Sequence, residues 1–240
     1  MNEINDLDIY KKLYIEKKTN NKFLKYSIYL SSSNEILFWF YFIIFNGINI
    51  CNIFRLISSY TLYYNFIYFI YSFLLSDLIS GIVHIYLDNS KIKYNESLID
   101  FYRLGFQIHH KFPLFQLKYF KSYKPYHECN TLFLNAIVFS IINLFLFDSL
   151  IIHFSMYLLL IMQANHYYCH FDNMKLKIPY LIKILHKYNI LVNPQQHILH
   201  HTTYDLNFCL INGIMNPILN YLFINKYFDN IIIYIDHIID

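Results

Sequence analysis

Charge is what this chain has least of. Only 15% of its 240 residues are Asp, Glu, Lys or Arg, against 56% hydrophobic and 20% aromatic. That balance excludes an ordinary soluble domain, and the apolar excess is gathered into runs. The net charge is +3, with the lysines lying between apolar runs rather than in one basic patch. A nucleic-acid partner is therefore not expected, and a membrane surface fits better. Cysteine is scarce too: Cys51, Cys129, Cys169 and Cys209 form no CxxC pair and read as free thiols. Gly, Pro, Ala and Arg are few beside Ile, Asn, Lys, Tyr and Phe, the codon bias of an AT-rich genome. That bias lowers the weight of any single Tyr, Phe or Asn. No short apolar segment opens the chain, so a cleaved secretory signal is not expected.

What is present is organised by apolar runs. Residues 1–34 are polar, with Lys11-Lys12 and Lys17-Lys18, and read as a cytosolic tail; Glu3, Asp6, Asp8 and Glu16 argue against an organellar transit segment. Residues 35–240 read as one membrane-embedded domain. Ile36 to Phe54 carries no charge and has about the ~20 residues needed to cross a bilayer. After Arg55, Leu62 to Ile85 is charged only at Asp77 and completes a helical hairpin. Gly81 on this second helix lets a neighbour approach closely. Residues 88–128 read as a Lys-rich polar connection in which Pro113 and Pro125 break any helix. Residues 129–148 and 149–165 form a second apolar hairpin around Asp148. Ile178 to Val192 has the spacing of an amphipathic interfacial helix. The tail from Asn216 to Asp240 reads as a surface-lying helix. The expected fold is an all-α membrane protein of four transmembrane helices in two hairpins, with a cytoplasmic His-rich helical cap. The lysines crowd the segments expected on the cytoplasmic side, as the positive-inside rule requires.

Histidine carries the chemistry. His197-Ile198-Leu199-His200-His201 puts three imidazoles on one helical face with no matching run of acids. His84 with Asp88, His109-His110, and His166 with His170 lie at or just beyond the ends of apolar runs. His153, His186 and His237 have no partner at ligand spacing and read as ordinary interfacial histidines. Eight imidazoles at one depth exceed the three or four that a single metal needs, so they point to two metals. Redox iron would activate dioxygen against an unreactive C–H bond, whereas zinc would serve hydrolysis as a Lewis acid.

These blocks resemble the Kua family of lipid desaturases, which includes plasmanylethanolamine desaturase and a plastid palmitate desaturase. The likeness runs from about Ser76 to Leu222. It rests on Ser76 to His84 and Asp88, Phe106 to His110, Glu128-Cys129-Asn130, Gln163 to His170 in the pattern NQxHxWxH, and His197xxHis200-His201 followed by Asn207-Phe208-Cys209 and Gly213 to Asn216. The chain departs from the family at Ile108, at Lys124-Pro125, where a His-Asp pair is usual, and at Tyr168, where Trp is usual; a histidine stands instead at His127. The resemblance implies two iron ions, dioxygen, and electrons from a small cytochrome or ferredoxin-type carrier. It implies His84, His109, His110, His166, His170, His197, His200 and His201 as ligands. Asp88, Glu128 and Asn130 are candidates for orienting ring N–H groups or a bridging water. Ligands at the cytoplasmic helix ends put oxidation near a phospholipid headgroup. The expected reaction is conversion of an alkyl-ether phospholipid to a vinyl-ether plasmalogen in the endoplasmic reticulum. An acyl-lipid desaturase or hydroxylase acting near the carboxyl end, in a plastid-type organelle, and a non-catalytic membrane scaffold are the alternatives.

Overall fold

The computed structural model describes residues 8–9, 35–93, 97–113, 129–171 and 177–239, and all of their regular structure is helical. The polar tail falls outside these residues save for residues 8–9. The first hairpin is α1 (Glu35–Ser59) and α2 (Leu62–Asn89), joined through Tyr60 and the N-cap Thr61, whose Oγ1 accepts the Tyr64 N–H. The second is α4 (Cys129–Leu146) and α5 (Leu150–Phe171). Its turn is closed twice by Asn143, whose Nδ2 donates to the Ser149 carbonyl and whose Oδ1 accepts the Ser149 N–H, each at 3.0 Å. The tips of the two hairpins are tied by an ion pair between Arg55 and Asp148.

Of the four spans expected, α1 (over Phe38–Ser59) and α2 are long and apolar enough to cross a membrane. The apolar stretch of α4 at Ala136–Leu146 is shorter. The first hairpin opens: α1 packs chiefly on α4, and α2 chiefly on α5, which becomes the central helix. Phe38, Tyr41 and Phe45 of α1 interleave with Ala136 and Ile137 of α4 and Leu160 of α5. The outer faces of α1, α2 and α4 show Phe40, Ile43, Phe54, Phe66, Phe139 and Phe145. An apolar surface of that extent is a membrane-facing surface rather than a water-facing one.

The segment after α2 differs from expectation. It is not only a polar connection but holds α3 (Leu98–Lys111). Ser97 caps it by accepting the Asp100 N–H, and Phe101, Leu104 and Ile108 bury one stripe. The amphipathic helix predicted over Ile178 to Val192 is α6 (Tyr180–Lys187) and ends early. Asn189 turns the chain with φ +52, and the Val192 N–H leaves the helical pattern to donate to the Ile211 carbonyl at 2.7 Å. α7 (Pro194–Thr203) follows, with Pro194 in its first turn and Asn193 accepting the Gln196 N–H at 3.0 Å. The tail is two helices, α8 (Asn216–Ile224) and α9 (Tyr227–Ile239), broken where Lys226 takes φ +60.

Candidate metal centre

Four helices deliver the histidines to one place. α2 presents His84 and Asp88 one turn apart, and α3 ends on His109-His110. The last turns of α5 carry His166 and His170, and α7 carries His197, His200 and His201. Their donor atoms sort into two groups. His109, His166, His170, His197 and His201 form one; His84, Asp88, His110 and His200 form the other. Within each group the donors lie within 4.8 Å of one another. In the first, Nε2 of His109 is 3.0 Å from that of His166 and 2.9 Å from that of His170. His197 Nε2 stands 2.9 Å from His170 Nε2 and 3.0 Å from His201 Nε2. The groups abut, with the His110 and His201 rings stacked at 4.5 Å.

The second group shows why these contacts are not ordinary hydrogen bonds. His84 Nδ1 lies 2.9 Å from the Phe208 carbonyl oxygen, and His200 Nδ1 lies 2.7 Å from that of Leu206. A carbonyl only accepts, so both rings carry their proton on Nδ1 and turn a bare lone pair inward from Nε2. Those two Nε2 atoms face each other at 3.1 Å. Asp88 Oδ2 stands 3.3 Å from one and 3.4 Å from the other, and Asp88 Oδ1 is 3.0 Å from His110 Nε2. Neither Asp88 oxygen nor His110 Nε2 has a hydrogen bond, although all are buried. Acceptors aimed at acceptors in a dry site repel unless a cation lies between them. The donor set therefore fits a metal: neutral imidazole nitrogens and one carboxylate, with the His84 and His200 rings oriented from behind.

A family model for the lipid desaturase domain matches residues 73–237. This chain belongs to the lipid desaturase domain family. No curated protein and no solved structure matches it. The matched span begins in α2 and takes in every residue of both donor groups.

The electrostatics of the lipid desaturase domain follow from burial. Outside the long apolar helices, desolvation and then the neighbouring imidazoles hold His109 and His197 well below the usual histidine range. The same causes bring His201 down to about 3. These rings are neutral at physiological pH, as metal ligands must be.

The rest of the fold braces the groups. Asn165, one residue before His166, donates through Nδ2 to the carbonyls of Val192 at 3.3 Å and Leu210 at 3.2 Å. Its Oδ1 is held by His186 Nε2 at 2.7 Å, so His186 supports the site from α6 and is not one of its donors. Asp77, fully buried in α2, accepts the backbone N–H groups of Asn212 at 3.0 Å, Gly213 at 3.2 Å and Met215 at 3.1 Å. This anchors the loop that offers the Leu206 and Phe208 carbonyls. Tyr204, whose ring lies 5.0 Å from that of His110, is a neighbour that sequence spacing did not single out. Those two orienting carbonyls carry no side-chain signature at all.

The eight histidines and Asp88 are thus brought together. Asp88, expected behind the imidazoles, has its carboxylate level with their nitrogens. His153 is far from them in sequence role as well as in space: it is buried between α1 and α5, with Nδ1 2.5 Å from Asn49 Oδ1. His237 is exposed near the end of α9. Asn130 lies in the first turn of α4, while its side chain, Glu128 and His127 lie outside the described residues.

Proposed function

We propose that the chain is a di-iron membrane lipid desaturase that acts beside the headgroup, converting an alkyl-ether phospholipid into a vinyl-ether one. The observation that carries this reading is the pair of abutting imidazole-rich donor groups within a lipid desaturase domain. His109, His166, His170, His197 and His201 would hold one iron, and His84, His110, His200 and Asp88 the other. Asp88 supplies the one buried negative charge among the donors, and the Leu206 and Phe208 carbonyls fix two of the rings. Glu128 and Asn130 remain the candidates for orienting a bridging water. When bound, the irons activate dioxygen for removal of two hydrogens from adjacent carbons. In balance, dioxygen takes two hydrogen atoms from the lipid, two electrons from a cytochrome or ferredoxin-type carrier and two protons from water, and leaves as two waters.

Depth supports the position of the double bond. α2 has 28 residues, so it is about 42 Å long, against a hydrocarbon core of about 30 Å. His84 and Asp88 lie in its last turns, near the surface rather than at mid-bilayer. A lipid entering from the side would offer its first few carbons. We take α4 and α5 as the other two spans, the donor groups as cytoplasmic, and the endoplasmic reticulum as the membrane.

The test is mass spectrometry of phospholipids from cells that lack the activity, express this chain and receive an alkyl-ether precursor. Acid-labile vinyl-ether species should appear with wild type and vanish with His200→Ala, and purified protein should hold about two irons. An acyl chain unsaturated next to its carboxyl end as the sole product would replace the ether reading. Active protein with stoichiometric zinc in place of iron would overturn the oxidase itself.

A further inference from the structure

One helix serves both donor groups through adjacent residues. His109 enters the five-histidine group and His110 the other, so the rotation of α3 about its own axis is tightly constrained. A turn of α3 by ~20° moves an imidazole tip by roughly 2 Å, against the ~0.2 Å tolerance of a coordination bond. Something must hold that rotation.

Arg103 and Gln107 share a face of α3 with His110, at spacings of four and three. Gln107 Nε2 donates to the carbonyls of Leu87 at 3.2 Å and Ser90 at 2.9 Å, at the end of α2. Arg103 is among the largest fully buried side chains. Its Nη1 donates to Asp100 Oδ1 at 3.1 Å; its Nη2 donates to Asp236 Oδ1 at 2.6 Å and to the Tyr86 hydroxyl. Asp236 comes from α9, and it also accepts the Tyr86 hydroxyl at 3.0 Å and the Lys91 N–H at 3.4 Å. A planar guanidinium with fixed donor directions thus joins α2, α3 and α9 at one point.

We propose that Arg103 and Asp236 are a positioning pair: a carboxylate on the last helix sets the rotation of α3 and so the simultaneous reach of His109 and His110 into two metal groups. The metal part of this inference rests on the function proposed above. The hydrogen bonds of the pair described above reach Asp100, Tyr86 and Lys91, none of them a donor residue, so its effect is through α3.

The experiment compares Asp236→Asn with Ile137→Ala in the detergent-purified 240-residue chain. Ile137 is buried in the apolar cluster between α1, α4 and α5, so its truncation lowers stability without altering the pair. Arg103→Lys serves as a second variant that keeps the charge and loses the fork. The readouts are melting temperature, iron per chain, the optical and paramagnetic signature of the bound iron, and amide hydrogen exchange over 98–111. Asp236→Asn and Arg103→Lys should each change the iron signature, lower turnover at least ten-fold and speed exchange in α3. Ile137→Ala at an equal or larger loss of melting temperature should keep two irons, the parent signature and turnover within about two-fold. An unchanged signature, turnover and α3 exchange in Asp236→Asn would overturn the proposal. So would an equal functional loss in Ile137→Ala at matched stability, because generic destabilisation would then explain both. The exchange measurement reads the pair whether or not iron binds, so a wild-type protein without iron sinks the proposed function and leaves the positioning of α3 to be decided by that measurement.

Discussion

An imidazole whose Nδ1–H is committed to a backbone carbonyl points a fixed lone pair from Nε2. His84 and His200 are in that condition; His186 is not, because its Nε2 is engaged with Asn165. The two kinds of histidine should answer differently to truncation. His84→Ala or His200→Ala should remove iron and turnover together. His186→Ala should keep iron in the folded fraction and cost about 1–3 kcal/mol, the usual penalty for leaving a buried amide without its partner. Iron analysis beside a thermal melt separates the outcomes, and iron loss in His186→Ala would add it to the donors. The distinction was legible in the sequence to a useful degree. His186 has no second histidine at helical ligand spacing, whereas each of the eight has one on its own or an adjoining turn or stands in a pair, save His84, whose companion is Asp88. Spacing could not say that Asp88 lies level with the nitrogens, because residues one turn apart can meet side by side or one behind the other. That is decided by the third and fourth elements, α3 and α7, which close on α2 from outside.

At the level of elements, α2 is closely approached at Gly81 by α8 and the loop before it. A Cβ built on Gly81 would stand 2.3 Å from Leu219 Cδ1 and 2.9 Å from Cys209 Sγ. Gly81→Ala therefore forces Leu219 and the loop carrying Phe208 outward, at a cost of about 1–3 kcal/mol for an overpacked core. Because Phe208 orients His84, iron affinity should fall with stability, and Leu219→Ala added to Gly81→Ala should restore part of both. Full stability and metal content in the Gly81→Ala chain, measured by melting and metal analysis, would contradict the close approach. Gly81 could be read in advance as a small residue inside a long apolar helix, a local property. α3 has local signals too: Ser97 three residues before Asp100, then Phe101, Leu104 and Ile108 on one face. In the sequence alone, the lysines and prolines around it outweigh a three-residue stripe. The early end of α6 has one local signal, Asn189 in the left-handed region, but the Val192–Ile211 pairing that fixes the chain beyond it spans 19 residues and has none.

Taken as a whole, the molecule keeps its chemistry at one end and its tight turns at the other. Arg55 and Asp148, joined across the two hairpin tips, mark the far end; both donor groups lie at the opposite ends of α2 and α5. Protease protection on sealed membranes should find a tag after residue 240 open from the same side as the donor groups and an epitope inserted near Arg55 closed from it. A tag on the opposite side would demand an odd number of crossings after α2. Apolar runs and the lysine pattern gave the plan of two hairpins. They could not give the opened first hairpin, because which helix α1 chooses depends on the shapes of Phe38, Tyr41 and Phe45 against α4, a property of two surfaces and not of one run. Asp77 adds something about time. Its three amide partners come 135 to 138 residues later in the chain. At ~5–20 residues per second of synthesis, they emerge on the order of ten seconds after it. Until then α2 enters the bilayer with a bare carboxylate, a burden of ~2.5–3.5 kcal/mol at a helix centre. A chain cut short before residue 212 would keep that charge exposed, whereas the finished fold hides it behind three amides.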